Sequence, residues 1–403
     1  MAVAQGINVL FKRVKQSGLG SPGSSGSQYL RRVTATFNKT TDTYTSNEIV
    51  SHQQSTGATA GVQAVTGSIS GELSPGTFQL ELENLLRKDA AATSSITGLS
   101  ATIAASGSGY TITRASGDFL TGGIKIGDIV RLAGAGLDAA NVGKNLLVTG
   151  VTSSVLTVLV LNGTSLTAEG PISSVTVSVP GKKIWTPTSG HTSTYITYEK
   201  YYPDLSKSEL FPDVKVAQAQ IAMPATGIAT IQLDTPGLSR TVGNSEVLTS
   251  PTAASTTEVL TAVQGKVIVN GVATTCTSAN VTITGNITQA EAEIGSNARS
   301  DHQIGRVAVT GTITAKFSNT TLMDLRDAQT AVSLVLVAAN NATGTSDFFT
   351  IVLPAVKFFS DDIDDGEKEL IRTYNFTAQY NGSGGASLAS HATIVSIQDS
   401  EAA

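Results

Sequence analysis

Cysteine is nearly absent: Cys276 is the only one in 403 residues, so no intrachain disulfide forms and no cysteine cluster is available for zinc. Charge is also scarce, at 14% of residues, with 26 Lys and Arg against 31 Asp and Glu and a formal net charge of −5. No Lys/Arg patch stands out, which argues against a dedicated nucleic-acid binder, because phosphate neutralisation needs clustered cations. Apolar runs such as Val155 to Leu161 fall far short of the roughly 20 residues that span a bilayer. Between Met1 and Lys15 the basic residues follow the apolar ones, the reverse of a signal peptide, and the expectation is a soluble protein made and assembled in the cytosol. Ser, Thr, Gly, Ala and Val fill the space left by charge and aromatics. That blend favours half-buried strands, tight turns and polar, uncharged surfaces.

The chain also repeats itself. Val65-Thr66-Gly67-Ser68-Ile69-Ser70 matches Val309-Thr310-Gly311-Thr312-Ile313-Thr314 at an offset of 244 (65 to 309), and Ser74 falls on Ser318 at the same offset. Val33-Thr34-Ala35-Thr36 matches Val281-Thr282-Ile283-Thr284 at 248 (33 to 281). Ser46-Asn47 and Ser296-Asn297, and the loop pairs His52-Gln53 and His302-Gln303, stand 250 apart (46 to 296, 52 to 302). Phe211-Pro212-Asp213-Val214-Lys215 resembles Leu353-Pro354-Ala355-Val356-Lys357 at 142 (211 to 353). The drop from 244 to 142 reads as a duplicated β-rich unit whose first copy carries an insertion of about a hundred residues, between Arg87 and Tyr195.

Val65, Gly67, Ile69, Gly71 and Leu73 alternate with Thr66, Ser68, Ser70 and Glu72, the period of a strand with one buried and one wet face. Val309, Gly311, Ile313, Ala315 and Phe317 alternate likewise with Thr310, Thr312, Thr314 and Lys316. A short helix is expected after each, starting at the Ser74-Pro75 cap and at Thr321 to Asp324. Five short strands between Tyr110 and Ser178, separated by Gly, Asn and Asp turns, suggest a small closed barrel. The expected fold is mainly β: duplicated antiparallel sandwich or barrel units, each with one short α-helix, plus an inserted small β-barrel. The expected organisation is an arm over 1–27, a first copy over 28–94 and 181–243, the insert over 95–180, a second copy over 244–382 and a tail over 383–403. Gly18 to Ser27 and Asn381 to Ala403 read as flexible ends.

Chemistry-bearing motifs are thin. Gly18, Gly20 and Gly23 spell G-x-G-x-x-G, but in a Gly/Ser linker rather than between a strand and a helix. His52, His191, His302 and His391 are scattered without metal-ligand spacing, and Cys276 has no local His or Asn partner motif. Asp361, Asp362, Asp364, Asp365 and Glu367 miss the calcium-loop spacing and read first as a solvated turn, second as a charged lining or inter-subunit edge. No nucleophile–base pair is visible. The expectation is no enzyme, no cofactor and no metal.

The block Arg31-Arg32-Val33-Thr34, through Asp42 to Ile49 and on to Val65 to Gly76, resembles the N-terminal signature of major tail tube proteins of long-tailed, non-contractile bacteriophages. Arg114 to Leu120, Ile126 to Val130 and Asn141 look like the small β-domain many of them carry, and Met223 to Thr230 continues the likeness. Thr252 to Thr257 falls outside the pattern. The resemblance implies subunit sheets joined edge to edge around a lumen that passes DNA, stacked rings, a tape-measure protein inside, and tail-tip initiator and terminator complexes at the ends. With two fold copies per chain it implies a trimeric, pseudo-six-fold ring in the virion tail, assembled in the host cytoplasm.

A conduit must touch DNA without holding it, so uncharged hydroxyl faces suit its lining. The candidate lumen face is Thr66, Ser68, Ser70, Glu72, Thr310, Thr312, Thr314 and Lys316; the competing reading packs these faces against the helix or a neighbouring subunit. The polar segments Asn38 to Ala64 and Gly285 to Arg306 are candidate inter-ring loops, with Thr45, Ser46, Asn47, Glu48 and His52 matched by Ser296, Asn297 and His302. The insert is expected to project outward, away from the repeated core. The alternative is a β-rich adhesin or tail-fibre module in which the insert binds a glycan. With only 5% aromatics, sugar-stacking platforms are scarce.

Overall fold

The computed structural model describes residues 3–402 apart from 53, 56, 342–344, 365 and 368. The first stretch supplies β1 (Leu10–Lys15), β2 (Gln28–Tyr29), β3 (Thr34–Thr45), β4 (Ala58–Glu72) and helix α1 (Gln79–Leu86). Then come β5 (Ile96–Ser106), β6 (Gly109–Arg114), β7 (Ile129–Ala133), β8 (Leu146–Val151), β9 (Val155–Val160) and β10 (Glu169–Ser178). Next are β11 (Lys182–Trp185), β12 (Ile196–Tyr202), β13 (Lys207–Val214), β14 (Gln218–Pro224), β15 (Thr230–Asp234) and β16 (Thr241–Gly243). The last part holds β17 (Thr261–Val269), β18 (Val272–Thr274), β19 (Cys276–Thr284), β20 (Ile287–Gln289), β21 (His302–Ile304) and β22 (Ala308–Lys316). It ends with helix α2 (Thr321–Asp327), β23 (Val332–Ala339), β24 (Phe348–Asp364), β25 (Ile371–Ala378) and β26 (Ser396–Asp399).

The fold is mainly β, with large antiparallel sheets and a closed barrel. One sheet of 13 strands runs β18-β17-β23-β24-β25-β22-β19-β14-β15-β4-β3, with β26 on β24 and β11 on β26. A second runs β16-β13-β12-β1-β2, and β10-β5-β6-β9-β8-β7 close the barrel. One core joins the two sheets: Phe11, Phe37, Tyr198 and Phe211 meet Val65, Ile69, Ile231, Ile313 and Phe376 there. Leu82, Leu85 and Leu86 bring α1 onto the same apolar side. No helix of the described residues is long and apolar enough to cross a membrane.

Strand register resolves the internal correspondence. Ser70 opposes Thr34 and Gln232. Thr314, 244 residues later, opposes Ser278 and Thr373. Thr34 and Ser278 are also 244 apart, so β3 corresponds to β19 at the same offset as β4 to β22. The expected 248 for these strands is four residues out, because Val/Thr alternation lets a strand match itself at any even shift. The 142 offset holds for β14 and β24: Gln232 and Thr373, which face the corresponding Ser70 and Thr314, oppose Gln220 and Asp362 on their other sides. β24 is therefore the uninterrupted counterpart of β13 and β14, which residues 215–217 separate, just after Asp213 takes a positive φ of 55°.

Several local expectations change. Helix α1 starts at Gln79, four residues after Pro75, and Ser74 Oγ instead lies 2.6 Å from Thr77 Oγ1 in the preceding turn. At α2 the N-cap is Thr320 without a side-chain cap bond; its hydroxyl donates to Asp324 Oδ2 over 3.1 Å. Asn38 to Ala64 is no long loop: most of it is the β3–β4 hairpin, paired from Thr34↔Ser70 to Thr45↔Ala58. The ends are tied down, since β1 lies between β12 and β2, and β26 between β11 and β24. Asp361, Asp362 and Asp364 lie in β24 rather than in a turn, and Asp361 pairs with Arg326 and Arg372. Asp365 lies outside the described residues.

The barrel does not stand off from the sheet. Ile129 and Leu147 pack against Ile268, Val335, Val337, Phe348 and Val352 of β17, β23 and β24. Gln398 of β26 bonds both the Ile129 amide and its carbonyl, at 2.8 and 3.1 Å. Chain return from the barrel needs Gly181, at φ 67°, where any Cβ would press on the Asp399 carbonyl.

Candidate assembly surface

Directly opposed residues of antiparallel strands share a face, so the ladder pairs trace each row of the sheet. One row reads Thr34, Ser70, Gln232, Gln220, Thr282, Thr310, Thr377 and Lys357, across eight strands and both halves of the chain. The next reads Glu72, Thr230, Ala222, Asn280, Thr312, Asn375 and Ser360. Side chains tie neighbouring strands: Thr34 Oγ1 lies 2.6 Å from Ser70 Oγ, and Thr314 Oγ1 lies 3.0 Å from Thr373 Oγ1. Asn280 Nδ2 donates to Thr312 Oγ1 over 3.3 Å, and Asn375 Nδ2 to Ser360 Oγ over 2.6 Å. The opposite face carries Ile69, Ile221, Val281, Ile313 and Tyr374, all buried.

All eight residues expected on the hydroxyl-rich face stand together on it. Thr66, Glu72, Thr310 and Lys316 are exposed, while Ser68, Ser70, Thr312 and Thr314 are half-buried between neighbours. Since α1 packs on the apolar side, the reading that this face meets the helix does not hold. Gln220, Gln232, Thr282, Asn375 and Thr377 stand on the same face beyond the eight expected residues, at positions that the alternation of their strands assigns to it.

The expected loop residues divide. Thr45 ends β3, and Ser46, Asn47, Glu48 and His52 are exposed at the hairpin tip, as are Ser296 and Asn297. The Asn297 carbonyl accepts from the Gln63 amide at 2.9 Å, so this segment lies along β4. His302 corrects the likeness with His52. It is 7% exposed, its Nε2 is 2.8 Å from the Asp213 carbonyl oxygen, and burial lowers its pKa. Its ring is not a surface contact. Gln53, matched in sequence with Gln303, lies outside the described residues.

Charge missing from the surface is partly held inside. Arg13 of β1 pairs with Glu81 of α1 and donates to the Thr77 carbonyl at 2.7 Å. The Tyr198 hydroxyl donates to Glu81 Oε1 at 3.0 Å. Burial pulls the Arg13 pKa down to about 10 and pushes that of Tyr198 up. Lys12 on the adjacent position pairs with Glu199 and Glu246. Lys215, its Nζ 3.9 Å from the Tyr195 ring centroid, is pulled down to about 8 by burial. Thr252 to Thr257, unplaced by sequence, clasps the β2 region to the α1 turn. The Thr252 amide donates to the Ser27 carbonyl at 2.9 Å, and the Thr257 hydroxyl to the Pro75 carbonyl at 2.7 Å.

Among the described residues no group of three or more His, Cys, Asp or Glu side chains is arranged to hold a metal ion. Cys276 is half-buried in β19, and burial pushes its thiol up to about 12, so it is no ready nucleophile. A broad antiparallel sheet with one polar face and a buried reverse side, beside a closed barrel, defines a mainly β protein. The family model for phage tail tube proteins matches residues 6–379, and the chain belongs to that family. It is accordingly a structural component of the virion tail. A search of the curated proteins finds no match.

Proposed function

We propose that this chain polymerises into stacked rings that form the tail tube of a long-tailed, non-contractile phage, with the polar sheet face turned to a lumen through which DNA leaves the particle. The observation that carries this is the eight-strand row from Thr34 to Lys357, whose only charged member is Lys357. Hydroxyl and amide groups keep such a wall hydrated without adding phosphate contacts that would accumulate over many rings. In this reading 28–94 with 181–243 and 244–382 are two copies of one tube unit, so three chains make a pseudo-six-fold ring. Residues 1–27 and 383–403 flank the copies, and 95–180 is the outer barrel. The hairpin tip around Thr45 to His52 and the segment holding Ser296 and Asn297 meet the next ring. The other partners are a tape-measure protein during growth, the tail-tip initiator, the terminator, and double-stranded DNA in transit, all met in the host cytoplasm or at ejection.

Negative-stain imaging with sedimentation velocity over a concentration series, with and without tail-tip complex, tests this. Hollow tubes or rings with three-fold averages are expected. Monomers at every concentration, even with the initiator, would refute it.

A further inference from the structure

The chain contains, within itself, a sheet seam between its two halves, and each strand of that seam has a counterpart that, among the described residues, is paired on one side only. The seam is β14 against β19, from Gln218↔Thr284 to Pro224↔Ser278, extended by the Gly285 amide donating to the Ala217 carbonyl at 2.7 Å. β14 corresponds to the end of β24 at 142, and β19 corresponds to β3 at 244. Among the described residues β3 is the terminal strand of its sheet, paired with β4 alone. On β24, Val356 has Val332 on one side and Ala378 on the other. Beyond it, Ser360 to Asp364 keep only the β25 side paired. The first half has the same order: β12 runs beside β13, and β19 takes over beside β14.

Resting on the tube reading, we infer that the end of β24 in one chain pairs antiparallel with β3 of a second copy, in the register of the internal seam. That register sets Ser360 opposite Thr40, Asp361 opposite Lys39, Asp362 opposite Asn38, Ile363 opposite Phe37 and Asp364 opposite Thr36. Chemistry supports it at three points. Ile221, the counterpart of Ile363, is 1% exposed because Val281 covers it, whereas Ile363 is 51% exposed. Phe37 is the counterpart of Val281, so the pairing puts apolar against apolar. Lys39 comes beside Asp361, a carboxylate that Arg326 and Arg372 already hold, so the contact at this point is of opposite sign but shared. Asp362, Asp364, Asn38 and Thr36 extend the polar face across the junction without a break. Two β24 ends repel each other through Asp362 and Asp364, so the contact is head-to-tail and builds a ring or filament instead of a two-fold dimer.

The test uses full-length chain carrying Cys276→Ser and a bismaleimide of about 8 Å span, on opposed positions about 5 Å apart. Asn38→Cys and Asp362→Cys are placed on separate chains and mixed, so a product is intermolecular. Gln220→Cys with Thr282→Cys in one chain calibrates the reaction. Thr34→Cys mixed with Asp362→Cys, about 13 Å out of register, is the control. Cross-linked dimers from Asn38 with Asp362, at least tenfold over the control, are expected. Tubes that cross-link through Thr34 instead, or through neither, overturn the seam and leave the tube reading standing. No polymer from the Cys276→Ser parent, with initiator present, overturns the tube reading and the seam together.

Discussion

Ile221 and Ile363 occupy the same position in corresponding strands, yet one is 1% exposed and the other 51%. Ile221 lies in the core with β15 on one side and β19 on the other, whereas Ile363 has, among the described residues, only β25 beside it. In the proposed seam this exposed apolar side chain meets Phe37 of a second copy, and the flanking Asp362 and Asp364 disfavour pairing of two β24 ends.

Ile363→Lys should leave the chain folded and block its growth. The side chain is outside the core of the isolated chain, so unfolding free energy in urea should move by no more than about 0.5 kcal/mol. Sedimentation should show monomer at concentrations tenfold above those at which the parent forms polymer. Normal polymer from the variant would contradict the role given to this edge.

Thr66→Arg combined with Thr310→Arg puts two guanidinium groups per chain on the polar face, at exposed positions. Tubes should form normally by electron microscopy, while DNA ejection from particles built with them slows, and slows less as salt is raised. Unchanged ejection kinetics would remove these residues from the lumen wall.

Arg13→Met leaves Glu81 buried without its cation, and Tyr198 as its remaining side-chain partner from the sheet. A loss of about 3–5 kcal/mol in unfolding free energy is expected, as for other broken buried pairs. Arg13→Met with Glu81→Leu should recover most of it. A double substitution as unstable as the single one would show that packing of β1 on α1, and not the unpaired charge, sets the cost.

Burial raises the Asp399 pKa from 3.8 to about 6, against the bonds its carboxylate accepts from the Gly76 and Glu401 amides. A carboxyl raised on folding binds its proton more tightly in the native state. Its contribution is therefore most favourable below pH 4 and is lost as pH rises to 6. Relative to Asp399→Asn, the parent should lose on the order of 2 kcal/mol between these pH values in urea titrations. Parallel pH profiles for the two proteins would contradict the shift.

Gly181→Ala forces a side chain into φ 67° against the Asp399 carbonyl. Destabilisation of about 2 kcal/mol or more is expected, in line with other strained backbone sites. Calorimetry should show it as a lowered midpoint. An unchanged midpoint would mean that β11 and β26 shift apart without cost.

What the sequence by itself determined was whatever depends on local alternation. The two-faced strands at Val65 to Glu72 and Val309 to Lys316 follow from side chains repeating at period two, the closed barrel within the insert from short strands between turn residues, and the 142 and 244 offsets and the family likeness from residue blocks matched in serial order. That same period could not settle the offset of β3, since Val/Thr alternation is satisfied at 244 and 248 alike; only cross-strand pairing of Thr34 with Ser70 and of Ser278 with Thr314 decided it. Nor does local pattern carry partners distant in the chain. Arg13 finds Glu81, β26 inserts between β11 and β24, His302 turns inward to Asp213, and the barrel seats Ile129 on Val352 because burying those groups together removes apolar surface and unpaired charge from water. The tertiary structure likewise decided which edges stay open, because an edge is defined by the strand that is not there.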